Sequence, residues 1–514
     1  MSIDFGEALP SLISRRAAQL PDEPFLHDVE GGSLTYAAIQ RDATGWAEAL
    51  SQAGLVAGGA VASMLRNCVE HYPLWLGIGW LRGLEVPINT ELRGAVLHNV
   101  LASARVEILV LHREFAERVF ALESPLPDLR IIVILDEALG EVVDDRWTIL
   151  DAAAFLRGCA GDTEFAPPQV HDIASVLYTS GTTGPSKGVL FTWGQLNAGS
   201  VPTVTFATND GADRFYAAGS PSHVVSKGAF ASMALTRGQL FVRPAFSLSE
   251  FWADVERFGI RSTVLVGAMA DFLLTAPPSP GDAATTLTNV LMVPVTPRYE
   301  EFIRRFGVRL WTAYNMTEIS VPFTSTSWTL DDPLSCGRLR TDYPYYEARI
   351  VDEFDHPVAT GDVGELIVRT AEPWTLNSGY LNMPEATVTA WRNGWFHTGD
   401  AFRVDDEGRY YFVDRMKDTI RRRGENISSF EVEAAVTAHP DVAECAAVAV
   451  PADEVEGEIK VVVVLSEGAR LTAAELIEFL VARVPRYMVP RYVQFADQLP
   501  KTQTLRVQKA GLRA

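Results

Sequence analysis

From about residue 6 to 165, short apolar β-rich runs alternate with stretches of helical periodicity, and this alternation confines the chain to a layered α/β fold with largely parallel strands. YAAIQRDATGWAEALSQAG gives way to VAGGAVASML, PLWLGIGWLRGLEVPIN leads to RVEILVLH, and RIIVIL follows. FWADVERFGIRSTVLVGAM and YEEFIRRFGVRLWTAY each read as helix, tight turn and strand. Beyond about residue 335 the texture changes. YEARIVDEF, GELIVRT and DEGRYYFVDR, separated by acidic and glycine turns, predict an antiparallel β subdomain. The last hundred residues alternate helices (SSFEVEAAVTAHP, TAAELIEFLVARV) with strands (ECAAVAVP, EIKVVVVL, YVQFAD) and predict a small α+β domain. The expected division is a large amino-terminal domain (1–413), a hinge (414–418) and a carboxyl-terminal domain (419–514).

At 514 residues the chain is too long for one core. Its 65 acidic against 44 basic residues give a formal charge of -21, which repels nucleic acid and anionic membrane surfaces, so neither is an expected partner. A phosphate site must then be a local cluster of cations or backbone donors. Cys68, Cys159, Cys336 and Cys445 form no C-x-x-C pair and no ligand set with histidine, which argues against a disulfide framework or structural zinc and suits a reducing compartment. The first residues, MSIDFGEALPSLISRRAAQLPDEP, meet acidic side chains at once, and no apolar run of about 18 residues occurs, so a cytoplasmic protein without a membrane span is expected.

Residues 172–178, DIASVLY, read as a buried strand that runs into YTSGTTGPSKG at 178–188. Gly181, Gly184 and Gly188 permit backbone shapes that side-chained residues resist, and Thr179, Ser180, Thr182, Thr183 and Ser186 add hydroxyl donors. Lys187 supplies a compact cation for phosphate oxygens. The spacing is not that of a Walker A loop, because Gly188 follows the lysine. An exposed turn has the same composition. Placement at the end of a strand, where ligands gather in α/β folds, favours the phosphate reading.

Three further motifs follow in order: YNMTEIS at 314–320, GWFHTGD at 394–400 and DRMKDTIRRRGENISSFEVE at 414–433. Together with YTSGTTGPSKG they resemble the AMP-forming acyl and aryl acid-CoA ligase, luciferase and peptide-synthetase adenylation superfamily. The text around RRRGENISSFEVEAAVTAHPDV is most similar to its crotonobetaine/carnitine-CoA ligase branch. The resemblance implies a mobile carboxyl-terminal domain and two steps: a carboxylic acid is activated by ATP and Mg²⁺ as an acyl-AMP with loss of pyrophosphate, then transferred to coenzyme A. It places Thr317 near the α-phosphate, Glu318 on Mg²⁺, Asp400 on the ribose hydroxyls, Arg415 on ribose or phosphate, and Tyr314, with Asn315 and Met316, beside adenine. Lys417 falls in the hinge. Gly424 lies near the pantetheine path, and Arg421, Arg422 and Arg423 offer positive charge to coenzyme phosphates. The polar roles suit the residue types: Glu318 is a hard oxygen ligand, Asp400 accepts two hydroxyl hydrogen bonds and Arg415 is a donor fork. As purely structural residues, Glu318 would cap a helix and Asp400 a turn.

The chain also departs from the pattern. LPKTQTLRVQKAGLR puts Leu505 and Arg506 where relatives carry a glycine and the catalytic lysine, so that Arg506 replaces the lysine with altered geometry, nearby Lys501 or Lys509 compensates, or adenylation no longer uses this position strongly. In PSHVVSKGAF, His223 resembles the family's pocket histidine, and Lys227 four residues on would share its helix face and neutralise a polar substrate group. LMVPVTP at 291–297 sets Val293, Pro294 and Val295 where a glycine-rich loop is usual, and Asn315 replaces a common glycine; both changes favour a small or unusual acid. The alternatives are an adenylating enzyme with a non-CoA acceptor, such as an amine, a carrier-protein thiol or a nitrite-activating diazotising reaction, and a nucleotide binder that has lost its chemistry.

Overall fold

The computed structural model describes residues 4–136, 144–179, 186–206, 213–328, 330, 332–416, 420–422, 425–427, 429–451, 457–481, 483–484, 486–501 and 507–513. They form two compact units. The first draws on Met1–Thr179, Ser186–Glu347 and Arg369–Trp391, the second on Ala348–Val368 and Arg392–Ala514. The sequence-based boundary at 414–418 therefore falls inside the second unit.

The first unit holds the expected parallel sheets. Among the described residues one has the order Leu84–Pro87, Ala60–Met64, Val106–Leu111, Ile131–Ile134, Thr148–Asp151, parallel throughout. The other runs Arg309–Trp311, Asn289–Met292, Ser262–Leu265, Arg214–Ala217, Gln239–Val242, Pro24–Asp28, Ser33–Thr35, with only the last pair antiparallel. Such strands are buried on both faces, which is why Ile108 to Leu111 is apolar without alternation and has no exposed side chain.

Helix Tyr36–Gln52 shows how the sequence sets the packing. The Thr35 side chain accepts from the Ala38 amide and caps the amino end. Tyr36, Ile39, Ala43, Trp46, Ala47 and Leu50 then form one buried stripe at helical spacing. Gly77 lets helix His71–Trp80 approach it closely, since a Cβ there would lie 2.6 Å from the Ala43 carbonyl oxygen. The two F-G-[IV]-R units fold as read. Helices Phe251–Phe258 and Tyr299–Phe306 each end at a left-handed glycine, Gly259 (φ 62°) and Gly307 (φ 66°), before strands Ser262–Leu265 and Arg309–Trp311.

In the second unit, Gly364–Thr370, Trp395–Val404 and Tyr410–Arg415 pair antiparallel, as short strands separated by acidic and glycine turns predict. Farther on, Val442–Pro451 pairs antiparallel with Gly457–Leu465, which pairs parallel with Tyr492–Phe495. Helices Ser429–Thr437 and Ala473–Val481 accompany these strands, and Val432, Val436, Ile459, Val461, Val463, Leu476 and Leu480 make their core. Among the described residues no helix is long and apolar enough to cross a membrane.

Candidate functional site

Strands Ile173–Thr179 and Lys187–Thr192 form an antiparallel pair in which Thr179 faces Lys187. The glycine-rich loop thus joins a hairpin, unlike the strand-to-helix crossover of a parallel sheet. Ser180, Gly181, Thr182, Thr183 and Gly184 lie outside the described residues. Gly188 serves space rather than backbone shape: a Cβ there would meet Val176 Cγ1 at 2.8 Å and the Tyr178 ring at 3.0 Å. The Thr179 hydroxyl lies 3.5 Å from the Lys187 carbonyl oxygen.

YNMTEIS also folds as a hairpin, with Ala313–Met316 and Ser320–Thr324 as strands and Thr317 and Glu318 in the turn. Glu318 therefore caps no helix. Ser320 completes the turn at φ 60°, its hydroxyl donating to the Gln195 carbonyl at 3.0 Å, while Gln195 Nε2 donates to the Thr317 carbonyl at 2.7 Å. Asn377 holds the next carbonyl: its amide N–H and Nδ2 donate to the Glu318 oxygen at 3.0 and 2.9 Å. Tyr314 is buried, 5.9 Å from the Phe323 ring, while Asn315, Met316 and Thr317 are half-buried.

The two hairpins meet at Tyr380. Residues 378–381 lie along Lys187–Thr192: the Leu190 amide donates to Gly379, Ser378 to Leu190 and Leu381 to Gly188, at 2.8–2.9 Å. The Tyr380 hydroxyl donates to Glu318 Oε1 at 3.2 Å, and Lys187 Nζ stands 4.8 Å from its ring centroid. Glu318 and Tyr380 are each 7% exposed. A cation over a ring at a partly exposed position is held by only about 0.5–1 kcal/mol, weakly enough to leave the ammonium available to a phosphate.

Within the second unit, Asp400 and Arg415 are cross-strand partners, with Arg415 Nε 2.8 Å from Asp400 Oδ1. Asp400 is 1% exposed and Arg415 about one-third exposed, so the pair presents its charge from the arginine side. Glu365 organises the approach to Asp400. One carboxylate oxygen accepts from the Gly399 amide at 3.0 Å, and the other lies 2.9 Å from His397 Nδ1. The Thr398 hydroxyl donates to the Leu366 carbonyl at 2.7 Å and accepts from the Asp400 amide at 3.1 Å. Sequence reasoning missed Tyr380, Asn377, Gln195, Glu365 and His397; Tyr380 stands in GYLN and Glu365 in GEL, strings too short to carry chemistry alone, and His397 stands inside GWFHTGD.

Lys227 requires a correction. It was expected on a pocket wall sharing a helix face with His223, but His223 is the extended residue preceding helix Val224–Thr236, so the helical spacing does not reach it. Lys227 is 0% exposed, its ammonium 3.1 Å from both Glu85 carboxylate oxygens and 4.0 Å from the Trp75 ring centroid. Glu85 also accepts from the Ser175 hydroxyl at 2.6 Å, and His71 lies 3.8 Å away. Burial acts against each charge: the Lys227 and His71 pKa values are lowered by desolvation and that of Glu85 is raised, with the lysine–carboxylate attraction opposing the shift in both partners. The ammonium is engaged in the core and does not face a substrate.

Val293 is half-buried and Pro294 exposed; the Val293 amide donates to Leu265, and a Cβ on Gly267 would come within 3.1 Å of the Pro294 carbonyl oxygen. Arg422 ends strand Ile420–Arg422, opposite Glu425. Lys417, Arg423, Gly424 and Arg506 lie outside the described residues. The two lysines near Arg506 are both engaged: Lys501 Nζ lies 2.6 Å from Glu444, and Lys509 Nζ 2.8 Å from Glu433, with a further contact to Ser429.

The model of the AMP-binding enzyme family matches residues 13–381, and that of the AMP-binding enzyme C-terminal domain matches 431–505. The chain belongs to the AMP-binding enzyme family. Lys187, Glu318 and Tyr380 lie inside the first family match; Asp400, Arg415 and Lys417 fall between the two, and Arg506 lies just beyond the second. Among curated family members, crotonobetaine/carnitine–CoA ligases of Citrobacter koseri and Salmonella typhimurium are each 30% identical over 496 residues, 93% of both chains. Solved structures share the fold. An anthranilate CoA ligase in complex with anthranoyl-AMP gives a TM-score of 0.85 at 21% identity, covering 99% of this chain and 97% of that one. O-succinylbenzoate coenzyme A synthetase from Bacillus subtilis, in complex with AMP, gives 0.84 at 23% identity over 98% of each.

Proposed function

We propose that this AMP-forming acid–CoA ligase takes a small or polar carboxylic acid, in the cytoplasm, through an acyl-AMP to the coenzyme A thioester. The carrying observation is the convergence of Lys187 and Glu318 on the Tyr380 ring and hydroxyl. It brings a cation and a hard carboxylate to one tyrosine side chain from two antiparallel strand pairs, which supports a reaction that separates pyrophosphate from AMP.

In the first step a carboxylate oxygen attacks the α-phosphorus of ATP, forming the acyl-oxygen–phosphorus bond as the bond to pyrophosphate breaks. No side-chain nucleophile is needed. Lys187, with Thr179 and the hydroxyls of Ser180, Thr182 and Thr183 among Gly181 and Gly184, is assigned to the β- and γ-phosphates, and Thr317 to the α-phosphate. Tyr314, Asn315 and Met316 are assigned to adenine, Asp400 and Arg415 to ribose. In the second step the coenzyme A sulfur attacks the acyl carbonyl and AMP leaves. The hinge with Lys417, the basic Arg422 and Arg423, and Gly424 are assigned to that step.

A magnesium ion fits the donor chemistry. Among the described residues no group of three or more His, Cys, Asp or Glu side chains could hold a metal by itself, whereas Mg²⁺ typically takes one or two carboxylates together with substrate phosphates and water. Glu318 is the assigned ligand, and the ion would supply charge neutralisation of the phosphate oxygens.

The acid is inferred to be small from the Val293–Pro294–Val295 segment and Asn315, with His223 at the pocket; the engaged Lys227 gives no support for an anionic tail. Acid-dependent ATP–pyrophosphate exchange across a panel of short, aryl and zwitterionic acids tests this. Exchange is expected with small or polar members; exchange confined to long-chain fatty acids would refute the size assignment.

A further inference from the structure

We infer that Tyr380 is a positioning residue that orients the Glu318 carboxylate through its hydroxyl, and offers its ring face to the Lys187 ammonium, for a nucleotide's phosphates and their divalent cation. The inference rests on the roles proposed above for Lys187 and Glu318.

The backbone around Tyr380 is held by four ties. Its neighbours pair with Lys187–Thr192, with Val189 opposite Tyr380 itself. Its own amide donates to the Thr387 hydroxyl at 2.9 Å. Gly379, at φ 103°, packs so tightly that a Cβ would lie 2.7 Å from Thr387 Cγ2. Asn377 adds the fourth tie: its Oδ1 accepts from the Gly379 amide at 2.8 Å while its amide groups clamp the Glu318 carbonyl. The ring therefore has little freedom to follow its contacts. Its contacts must follow it.

Packing alone would be served by phenylalanine. A buried phenol hydroxyl is favourable only when partnered, and here the partner is a carboxylate oxygen of the assigned metal ligand. Hydrogen bonds of this kind fix the rotation of a ligating carboxylate and set its affinity for the ion. The ring face meanwhile meets the Lys187 ammonium, 4.8 Å from its centroid. One side chain thus reaches both hairpins, so displacement of either alters the geometry of the other.

Tyr380→Phe and Tyr380→Leu, compared with the wild-type full chain by calorimetric titration of ATP with magnesium and in EDTA, test this. Tyr380→Phe keeps the ring and is expected to bind ATP in EDTA as the wild type does, while losing about tenfold of the affinity that magnesium adds. Manganese binding in the presence of ATP, read from the free-ion paramagnetic resonance signal, should show the same loss without turnover. Tyr380→Leu should weaken binding in EDTA as well; if it does not fold, Tyr380→Phe decides alone. An equal magnesium gain in wild type and Tyr380→Phe overturns the inference, as does an equal loss with and without magnesium, the pattern of a ring that serves packing only. A wild-type chain that binds no ATP in either medium overturns the underlying functional reading instead.

Discussion

The Lys227 ammonium lies 3.1 Å from both oxygens of the Glu85 carboxylate, and neither side chain has any exposed surface. Breaking such a pair strands a buried charge, whereas removing both charges removes the desolvation cost as well. Lys227→Met is expected to destabilise the fold by about 3–5 kcal/mol, and Lys227→Met/Glu85→Gln to recover most of that loss. Urea unfolding of the two variants measures it. If the double variant is as unstable as the single one, the account of this pair is wrong.

The same cluster predicts a pH dependence. Burial, with the Lys227 charge beside it, holds the His71 imidazole well below the ordinary histidine range, so it stays neutral in the folded chain. The unfolded chain takes up a proton near pH 6.5. Because the folded pKa is depressed, this contribution to stability is present above about pH 6.5 and is lost as pH falls below it, at about 1.4 kcal/mol per pH unit. His71→Gln should flatten the slope of unfolding free energy between pH 6.5 and 5 by that amount; parallel slopes would contradict the prediction.

At Gly188 the strand pair Ile173–Thr179 and Lys187–Thr192 leaves no room for a side chain. Gly188→Ala pushes a methyl group into Val176 and Tyr178, and overpacking of this kind costs about 1–3 kcal/mol. A raised KM for ATP should accompany the fall in melting temperature, because Thr179 and Lys187 flank the loop in register. Unchanged KM with lowered stability would separate the hairpin from nucleotide binding.

Arg506→Met should lower acid-dependent pyrophosphate release by about a hundredfold, the scale seen when one preorganised donor is removed at a developing charge. Release of AMP from supplied acyl-AMP and coenzyme A should be unaffected. Lys501 and Lys509 are already paired with Glu444 and Glu433, so neither is positioned in this structure as a ready substitute. Full activity of Arg506→Met would remove Arg506 from the mechanism.

The layers of the fold were legible because burial on two faces writes itself into runs such as VEILVL, and left-handed glycines mark where Phe251–Phe258 and Tyr299–Phe306 stop. The order of the strands was not, since parallel pairing partners are set by crossovers that leave no local mark. The motif residues themselves were readable, but their support was not. Nothing in the local sequence tells that Tyr380 reaches back 62 positions to Glu318, or that Lys227 turns inward to Glu85 across 142. A lysine four residues after a pocket-like histidine reads as a partner for a polar substrate group; tertiary packing placed it in the core.

The central claim is that the acid's own oxygen becomes bonded to the α-phosphorus of ATP. With a carboxylic acid substrate labelled in both oxygens with ¹⁸O, mass spectrometry of the products after ATP and coenzyme A are added tests this directly. The account predicts one ¹⁸O in the phosphate of AMP, one in the acyl-CoA carbonyl, and pyrophosphate as the other product. Unlabelled AMP, or ADP and phosphate in place of AMP and pyrophosphate, would contradict it.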